Sequence, residues 1–105
     1  MQSNLKMIQV QLFIDAEDIY DGRSLHEYIM RYLLHHKIHG ATMFTGTMGF
    51  GAHHHLHHPE QLAASDSQPI MITFVDEASL VNNVIPHLKS VVKQGLIIAH
   101  EVNAL

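Results

Sequence analysis

Five histidines lie within six consecutive positions near the middle of the chain, directly after a glycine-rich stretch. The stretch reads GTMGFGAHHHLHHPEQ over residues 46–61, and its histidines are His53, His54, His55, His57 and His58. Imidazole nitrogens are good ligands for Zn, Cu and Ni. Alternate side chains of an extended segment share one face, so the histidines at positions 53, 55 and 57 would lie together. The spacing predicts an open transition-metal site, although histidine-rich tracts also bind such metals without a physiological role.

The glycines before these histidines predict a second kind of site. Gly46, Gly49 and Gly51 let the backbone approach a ligand closely, and amides arranged in this way can form a nest for an anion. Arg23 follows Gly22 just before a predicted helix, and a helix N-terminus favours anions. The sequence has no P-loop pattern, G-x-x-x-x-G-K-[ST]. Such glycines are also typical of a bulge that lets a strand twist, and on the residues alone we prefer this interpretation to ligand binding.

Three more histidines, His35, His36 and His39, accompany Lys37 near the end of a predicted helix. Positive charge is favoured at that end by the helix dipole, and we prefer this interpretation to metal binding. The chain has eleven histidines and a formal charge of −4 when they are neutral. Adding eleven protons would give +7, and unperturbed histidine titrates near pH ~6.5. The net charge would therefore change sign in mild acid.

Length and composition restrict the class of protein. The 105 residues and the hydrophobic fraction of 47% predict one globular domain over residues 1–105. Cysteine is absent, which excludes disulfides and thiolate metal sites and makes the cytoplasm the expected location. Only six lysines and arginines are present, so there is no basic footprint for nucleic acid. No apolar run approaches the roughly 18 residues of a membrane span, and the N-terminus does not resemble a signal peptide.

Hydrophobic periodicity predicts four strands and two helices. The strands are predicted over residues 7–15, 41–45, 70–76 and 96–102, from alternating or continuous apolar residues. The first helix is predicted over residues 24–36, with an apolar stripe and a Ser24/Glu27 capping box. Gly40 is expected to end that helix in a left-handed conformation. Asp76 is expected to cap the second helix, which contains Pro86 and is closed by Gly95.

The order β-α-β-β-α-β predicts an α+β, ferredoxin-like sandwich. In this fold two helices cover one face of a four-stranded antiparallel sheet. Right-handed crossovers place the first and third strands in the centre. The second and fourth strands are then exposed edges, which favours pairing between subunits and hence an oligomer. Residues 46–69 join the second and third strands and are far longer than a hairpin requires, so this segment is predicted to be functional.

The sequence resembles the DUF190 family, a branch of the PII-like signalling group. Four stretches carry the resemblance over residues 9–102: EDIYDGRSLHEYI, HGATMFTGTMGFGA, LHHPEQLAASDSQPIMI and GLIIAHEV. The G-x-x-G-F-G element is the most specific of them. The resemblance implies a ferredoxin-like homotrimer in which residues 46–69 correspond to the T-loop of PII proteins. PII relatives bind adenine nucleotides in clefts between subunits and engage target proteins through that loop.

Two departures from the family pattern affect the expected site. Thr45 stands where the family often has an arginine, so a phosphate contact from that position would be lost. Histidines also replace the small polar residues that usually follow G-F-G, at His53, His54 and His55. His57, in contrast, matches the family's own histidine. Some family members are encoded beside fluoride channels, which hints at a membrane transporter or channel as the target.

These observations lead to three hypotheses. The first is a cytoplasmic, trimeric PII-like regulator that binds a small ligand, such as an adenine nucleotide, at subunit clefts. Its ligand-binding residues would be Gly22, Arg23, Gly46, Gly49, Phe50, Gly51 and His57. The second is a metal-responsive protein, similar to the CutA branch of the fold, that binds Ni, Cu or Zn through the five loop histidines. The third is an assembly module whose loop docks a target without any ligand.

Catalysis is not expected. The chain has no cysteine nucleophile and no G-x-S-x-G elbow. Acidic residues cluster in the loop after the first strand, but such loops are usually solvated.

Overall fold

The computed structural model describes residues 5–50 and 68–105. Within those ranges the elements are β1 (Leu5–Asp15), β2 (Ile19–Tyr20), β3 (Arg23–Ser24), α1 (Leu25–His35), β4 (Ala41–Thr45), β5 (Pro69–Asp76), α2 (Ala78–Val91) and β6 (Leu96–Ala104). Neither helix of the described residues is long and apolar enough to span a membrane.

Four of the strands form one antiparallel sheet in the order β4-β5-β1-β6. Strands β1 and β5 lie in its centre, and β4 and β6 are its edges. The predicted ferredoxin-like α+β fold is therefore confirmed, including the assignment of central and edge strands. The structure extends the first and last strands by two residues each, to Leu5 and Ala104.

The hydrophobic core lies between the sheet and the two helices. Alternate residues of the central strands, such as Val10, Leu12 and Ile72, are fully buried against the helices. The helices contribute residues at helical spacing: Leu25, Ile29, Leu33, Val81, Val84, Leu88 and Val91. Tyr28 and Tyr32 belong to the predicted stripe of α1 but remain half-buried at its margin.

The other face of the sheet is covered by neither helix, and we call it the open face. Its position follows from the pairing register, because residues directly opposite one another share a face. It comprises Leu5, Met7, Gln9, Gln11, Phe13, Asp15, Thr42, Phe44, Pro69, Met71, Thr73, Val75, Leu96, Ile98, His100, Val102 and Ala104, among which Asp15, at the end of β1, is the only lysine, arginine, aspartate or glutamate.

A short hairpin, β2–β3, occupies a stretch that was predicted from the sequence to be a loop. Its turn residues Asp21 and Gly22 have φ values of 54° and 79°. Two consecutive positive φ angles are typical of a type I′ turn, for which Asp-Gly is a preferred pair. The Asp-Gly dipeptide was thus a hairpin signal that the periodicity did not reveal.

Both ends of α1 differ from the prediction. Ser24 occupies the N-cap position, but its side chain makes no capping hydrogen bond, so the capping box is not formed. At the other end Lys37, with φ 69°, takes the left-handed conformation that was expected at Gly40. The N–H groups of Ile38 and Lys37 donate to the carbonyls of Leu33 and Leu34, at 3.2 and 3.3 Å, as in a Schellman motif. The chain reverses early because Ile38 is buried in the core.

Both ends of α2 also differ from the prediction. Its N-cap residue is Glu77 rather than Asp76. Asp76 still accepts a hydrogen bond from the Glu77 N–H at 2.8 Å, but its other partners lie across the fold. The helix ends at Val91 with Val92 as its C-cap residue, so Gly95 lies in the connection after the helix and does not close it as predicted. A Cβ at that position would collide with the carbonyl oxygen of Phe13, so the glycine permits close approach of the connection to β1.

Candidate functional site

The two ends of the long segment are joined at its base by a hydrogen bond. The β4–β5 pairing runs to Thr45 opposite Ile70, and the Gly46 N–H then donates to the Pro69 carbonyl at 2.7 Å. The sheet thus fixes where the segment leaves and rejoins the fold. This position at one end of β4 and β5 is the one predicted for a functional loop.

Gly46 and Gly49 both lie against the ring of Pro69. A Cβ on Gly46 would lie 2.7 Å from the Pro69 Cγ, and one on Gly49 would lie 3.2 Å from the same atom. Neither glycine has a positive φ. Close packing against Pro69 therefore explains why these two positions are glycine. This reason is separate from the close approach of a ligand that the sequence predicted.

Two apolar side chains at this base are open to solvent. Met48 is 70% exposed and Phe50 is 84% exposed. Isolated exposed apolar residues are common, but neighbouring ones at the base of a long segment favour a binding surface. Phe50 is the predicted ligand-binding residue among them, and its ring is free to stack on a planar group.

The loop after β1 lies beside the same base. The Ala16 N–H donates to the Gln68 carbonyl at 2.8 Å, which ties the loop to the start of β5. The loop is also ordered internally, since Asp18 accepts from the Asp15 N–H at 3.0 Å and Asp15 accepts from the Glu17 N–H at 2.9 Å. These acidic residues were predicted to be merely solvated. Their spacing was a turn signal, because aspartate carboxylates bond to nearby backbone amides.

Gly22 and Arg23 lie in the β2–β3 hairpin that follows this loop. The Leu25 N–H donates to the Asp18 carbonyl at 2.8 Å, and this bond orients the hairpin relative to α1. The Arg23 side chain is exposed and makes no ion pair with the described residues. None of the hydrogen bonds, ion pairs or ring contacts among the described residues joins Arg23 to Gly46, Gly49 or Phe50. The structure thus brings the glycines together over Pro69 but leaves Arg23 in a separate element.

An aromatic cluster holds the hairpin against the helices. The Tyr20 and Tyr28 rings are 4.5 Å apart, and Tyr32 lies 4.6 Å from His87 and 4.0 Å from His36. The Tyr28 hydroxyl is 2.6 Å from the His87 Nε2. Burial, followed by the neighbouring tyrosines, raises the pKa of Tyr28, so its hydroxyl stays protonated in this hydrogen bond. The cluster positions the hairpin and therefore Arg23.

The remaining predicted site residues lie outside the described ranges. They are Gly51, His53, His54, His55, His57 and His58. Within residues 5–50 and 68–105, no group of three or more potential ligands is arranged to hold a metal ion. The histidine site for Ni, Cu or Zn thus stays a prediction from the sequence.

Histidines at the end of α1 bond to backbone oxygens. His35 and His36 each place Nδ1 within 2.8–2.9 Å of the carbonyl four residues earlier, on Arg31 and Tyr32. Their imidazoles therefore satisfy carbonyls of the last helical turn, which agrees with the helix-end interpretation.

His39 instead pairs with a buried carboxylate. Asp76 is 2% exposed and accepts from the His39 backbone N–H at 2.8 Å and from its Nδ1–H at 3.0 Å. Burial by itself raises the pKa of Asp76. The hydrogen bonds from the His39 and Glu77 amides and from the imidazole outweigh burial, so the pKa of Asp76 is lowered overall. This pair fixes the connection that leads into β4.

Comparisons with known proteins agree with the fold. The DUF190 family model, described as "Uncharacterized ACR", matches residues 7–104. A UPF0166 protein of Methanocaldococcus jannaschii is 30% identical over 90 residues, which are 85% of this chain and 82% of that protein.

Solved structures of a nitrogen regulatory PII-like protein are also similar. The apo form of CPII from Thiomonas intermedia K12 matches with a TM-score of 0.67 and 14% identity, over 97% of this chain and 95% of that one. CPII with ADP, AMP and acetate bound matches with a TM-score of 0.64 and 15% identity, over 99% and 93% of the two chains. At these identities the likeness shows a shared fold.

Proposed function

This chain belongs to the DUF190 family, and from that premise we propose that it is a PII-like regulatory protein rather than an enzyme. In this proposal it binds an adenine nucleotide at clefts between subunits and acts on a partner through residues 46–69. The observation that carries the proposal is the base of that segment, where Gly46 and Gly49 pack over Pro69 at one end of a PII-like sheet. CPII, which has the same fold, binds ADP and AMP.

The chemistry of the base suits a nucleotide. The exposed Phe50 ring offers a stacking surface for a purine, and base–aromatic stacking is tolerant of orientation. Arg23, exposed and without a carboxylate partner among the described residues, offers a guanidinium for phosphate. Gly22, Gly51 and His57 complete the proposed set from the sequence. A neutral Thr45 leaves Arg23 as the main source of positive charge.

Assembly would bring the separate parts of this site together. Arg23, in β3, and Phe50, after β4, are joined by none of the hydrogen bonds, ion pairs or ring contacts among the described residues, which is the expected arrangement when a cleft is shared between subunits. The open face supplies a surface for that assembly, because it carries no lysine, arginine or glutamate and its one aspartate, Asp15, lies at the end of β1. Antiparallel sheets with one solvated face normally show polar side chains there. We assign the open face to a homotrimer interface.

Binding would then act on the long segment. A nucleotide that contacts the base at Gly46 and Phe50 would favour one conformation of the segment and change its affinity for a partner. The expected partner is a target protein, with a membrane transporter or channel as the class suggested by the family resemblance.

Isothermal titration calorimetry with ATP, ADP, AMP and cyclic AMP tests the proposal. At least one nucleotide should bind with a Kd below about 1 mM, and Arg23→Ala should weaken it about tenfold or more, since a charge-assisted hydrogen bond is lost. Lys93→Ala is the matched control, because Lys93 is an equally exposed cation in the α2–β6 connection. The absence of binding by all four nucleotides at millimolar concentration would contradict the proposal.

A further inference from the structure

A row of hydrogen-bonded polar side chains joins three strands on the open face. His100 on β6 places its Nε2 2.9 Å from the Oε1 of Gln9 on β1. The Nε2 of Gln9 lies 3.2 Å from the Oγ1 of Thr73 on β5. Thr42 on the edge strand β4 lies opposite Thr73 in the pairing register and adds a polar side chain at the end of the row.

The direction of these bonds fixes which ring nitrogen of a neutral His100 carries the proton. An amide nitrogen only donates, so Gln9 donates to Thr73 and turns its carbonyl oxygen toward His100. That oxygen only accepts, so His100 carries its proton on Nε2. Its Nδ1 is then the unprotonated nitrogen, where the next proton would bind.

Among the described residues, no charged side chain of the open face lies beside His100 to compensate its protonation. Its neighbours on this face are Gln9 on β1 and Ile98 and Val102 on β6, none of which titrates. The nearest ion pair, Lys6 with Glu101 at 3.8 Å, belongs to the other face of the same strands.

The remaining carboxylate near this face is at its margin. Asp15 ends β1 at the opposite end of the strand from Lys6, and its carboxylate accepts from the Glu17 N–H. A second copy would present the same face, whose carboxylate, Asp15, lies six positions along β1 from Gln9, the partner of His100. The face therefore places no carboxylate beside His100, and protonation would add a positive charge without a partner there.

We infer that His100 makes self-assembly through the open face dependent on pH, with mild acid favouring separated chains. This inference rests on the assembly that we propose above. Protonation adds an unpaired positive charge to each face, and burying such a charge is costly. In a closed symmetric assembly the equivalent histidines would add like charges to one interface. The assembled state thus binds fewer protons than the separated chains, and lowering the pH shifts the equilibrium toward separation.

Sedimentation velocity of the full chain at about pH 7.5 and about pH 5.5 tests this inference. The dissociation constant should rise about tenfold or more at the lower pH, since histidine titrates between these values. His100→Gln keeps a neutral side chain at both pH values and should reduce that change to less than about threefold, although the other ten histidines still titrate. His35→Gln, an exposed histidine on α1, is the matched control and should keep the full dependence. Circular dichroism at both pH values establishes that the chain remains folded.

The outcomes separate the two proposals. A chain that is monomeric at both pH values overturns the proposed assembly and the inference with it. An assembly whose dissociation constant does not change with pH, or one whose dependence survives in His100→Gln, overturns the inference alone.

A second measurement on the unmodified chain does not depend on a variant. The NMR titration midpoint of the His100 Cε1–H should fall as the protein concentration rises, because assembly favours the neutral ring. A midpoint independent of concentration, over a range where sedimentation shows assembly, would also overturn the inference.

Discussion

The two faces of the sheet differ in how far their apolar side chains are buried within one chain. On the covered face Val10, Leu12 and Ile72 are fully buried under the helices, so this face is completed within one chain. On the open face Phe13 remains 40% exposed and Phe44 51% exposed, yet Asp15, at the end of β1, is the only lysine, arginine, aspartate or glutamate among its residues. A solvated face would be expected to carry more charge. The difference indicates that the open face is adapted to a second protein surface.

Neighbouring residues of β1 allow a direct test of this difference. Leu12→Ala removes a fully buried side chain and should lower the free energy of unfolding by about 2–5 kcal/mol at every protein concentration. Phe13→Ala, its neighbour on the open face, should change unfolding little in dilute samples and should weaken assembly in concentrated ones. Urea unfolding at two protein concentrations measures both effects. If Phe13→Ala destabilised the dilute monomer as much as Leu12→Ala, the open face would be part of the monomer's own core.

A charge introduced on the open face should disrupt assembly. Ile98→Lys places an ammonium group beside His100 on β6, and we expect the dissociation constant to rise about 100-fold or more. Asn83→Lys adds the same charge to an exposed position on α2 and should leave assembly unchanged. Size-exclusion chromatography with light scattering measures the mass of each variant. An Ile98→Lys protein that assembles as well as Asn83→Lys would show that another surface forms the interface.

A substitution in the α2–β6 connection, which contains Gly95, should have a smaller effect on the free energy of unfolding. Gly95→Ala would push a Cβ against the Phe13 carbonyl and close to Val92 and Ile14, which requires the backbone to shift. We expect a loss of about 1–3 kcal/mol in the free energy of unfolding. Gly40→Ala is the matched control, because no atom lies within 4 Å of its Cβ position and its φ is not positive. Equal stability of the two variants in thermal unfolding would mean that the connection has room to move.

Much of this fold follows from the pattern of the sequence. The alternation in MIQVQLFID and the apolar run IMITFVD predict the two central strands, and the order of elements predicts their neighbours. Predictions from the sequence pattern were wrong where a contact between residues far apart in the chain sets the local conformation. Lys37 rather than Gly40 is left-handed because Ile38 must reach the core. Asp76 binds His39, which lies 37 positions away and leaves no local signal.

The site was predictable to a lesser extent for the same reason. The sequence indicates that the chain needs glycine at Gly46 and Gly49, but the atom that comes close is Pro69 Cγ, twenty or more positions later. The polar row of His100, Gln9 and Thr73 also depends on pairing between distant strands. A residue type shows which chemistry is available, whereas the register of the sheet decides which groups meet.

The covered face also contains a charge, and its pairing predicts a further dependence on pH. Asp76 has a pKa below its ordinary value, so in the range below about pH 4 the folded chain binds fewer protons than the unfolded one. The stability contributed by Asp76 is therefore present above that range and is lost as the pH falls through the pKa of the folded state. Asp76→Asn should cost about 1–3 kcal/mol at neutral pH and should flatten the decline of unfolding free energy in acid.

Urea unfolding from about pH 7 to about pH 2 in dilute samples measures this effect without interference from assembly. Glu77→Gln, the exposed neighbour whose side chain makes no capping bond, should keep the wild-type profile. An Asp76→Asn profile as steep in acid as that of Glu77→Gln would show that the His39–Asp76 pair contributes no pH dependence. A flatter Asp76→Asn profile would establish that the covered face tolerates the buried Asp76 carboxylate because its hydrogen bonds pair that charge fully. The open face offers His100 no such partner, which is why the same protonation chemistry should weaken assembly there.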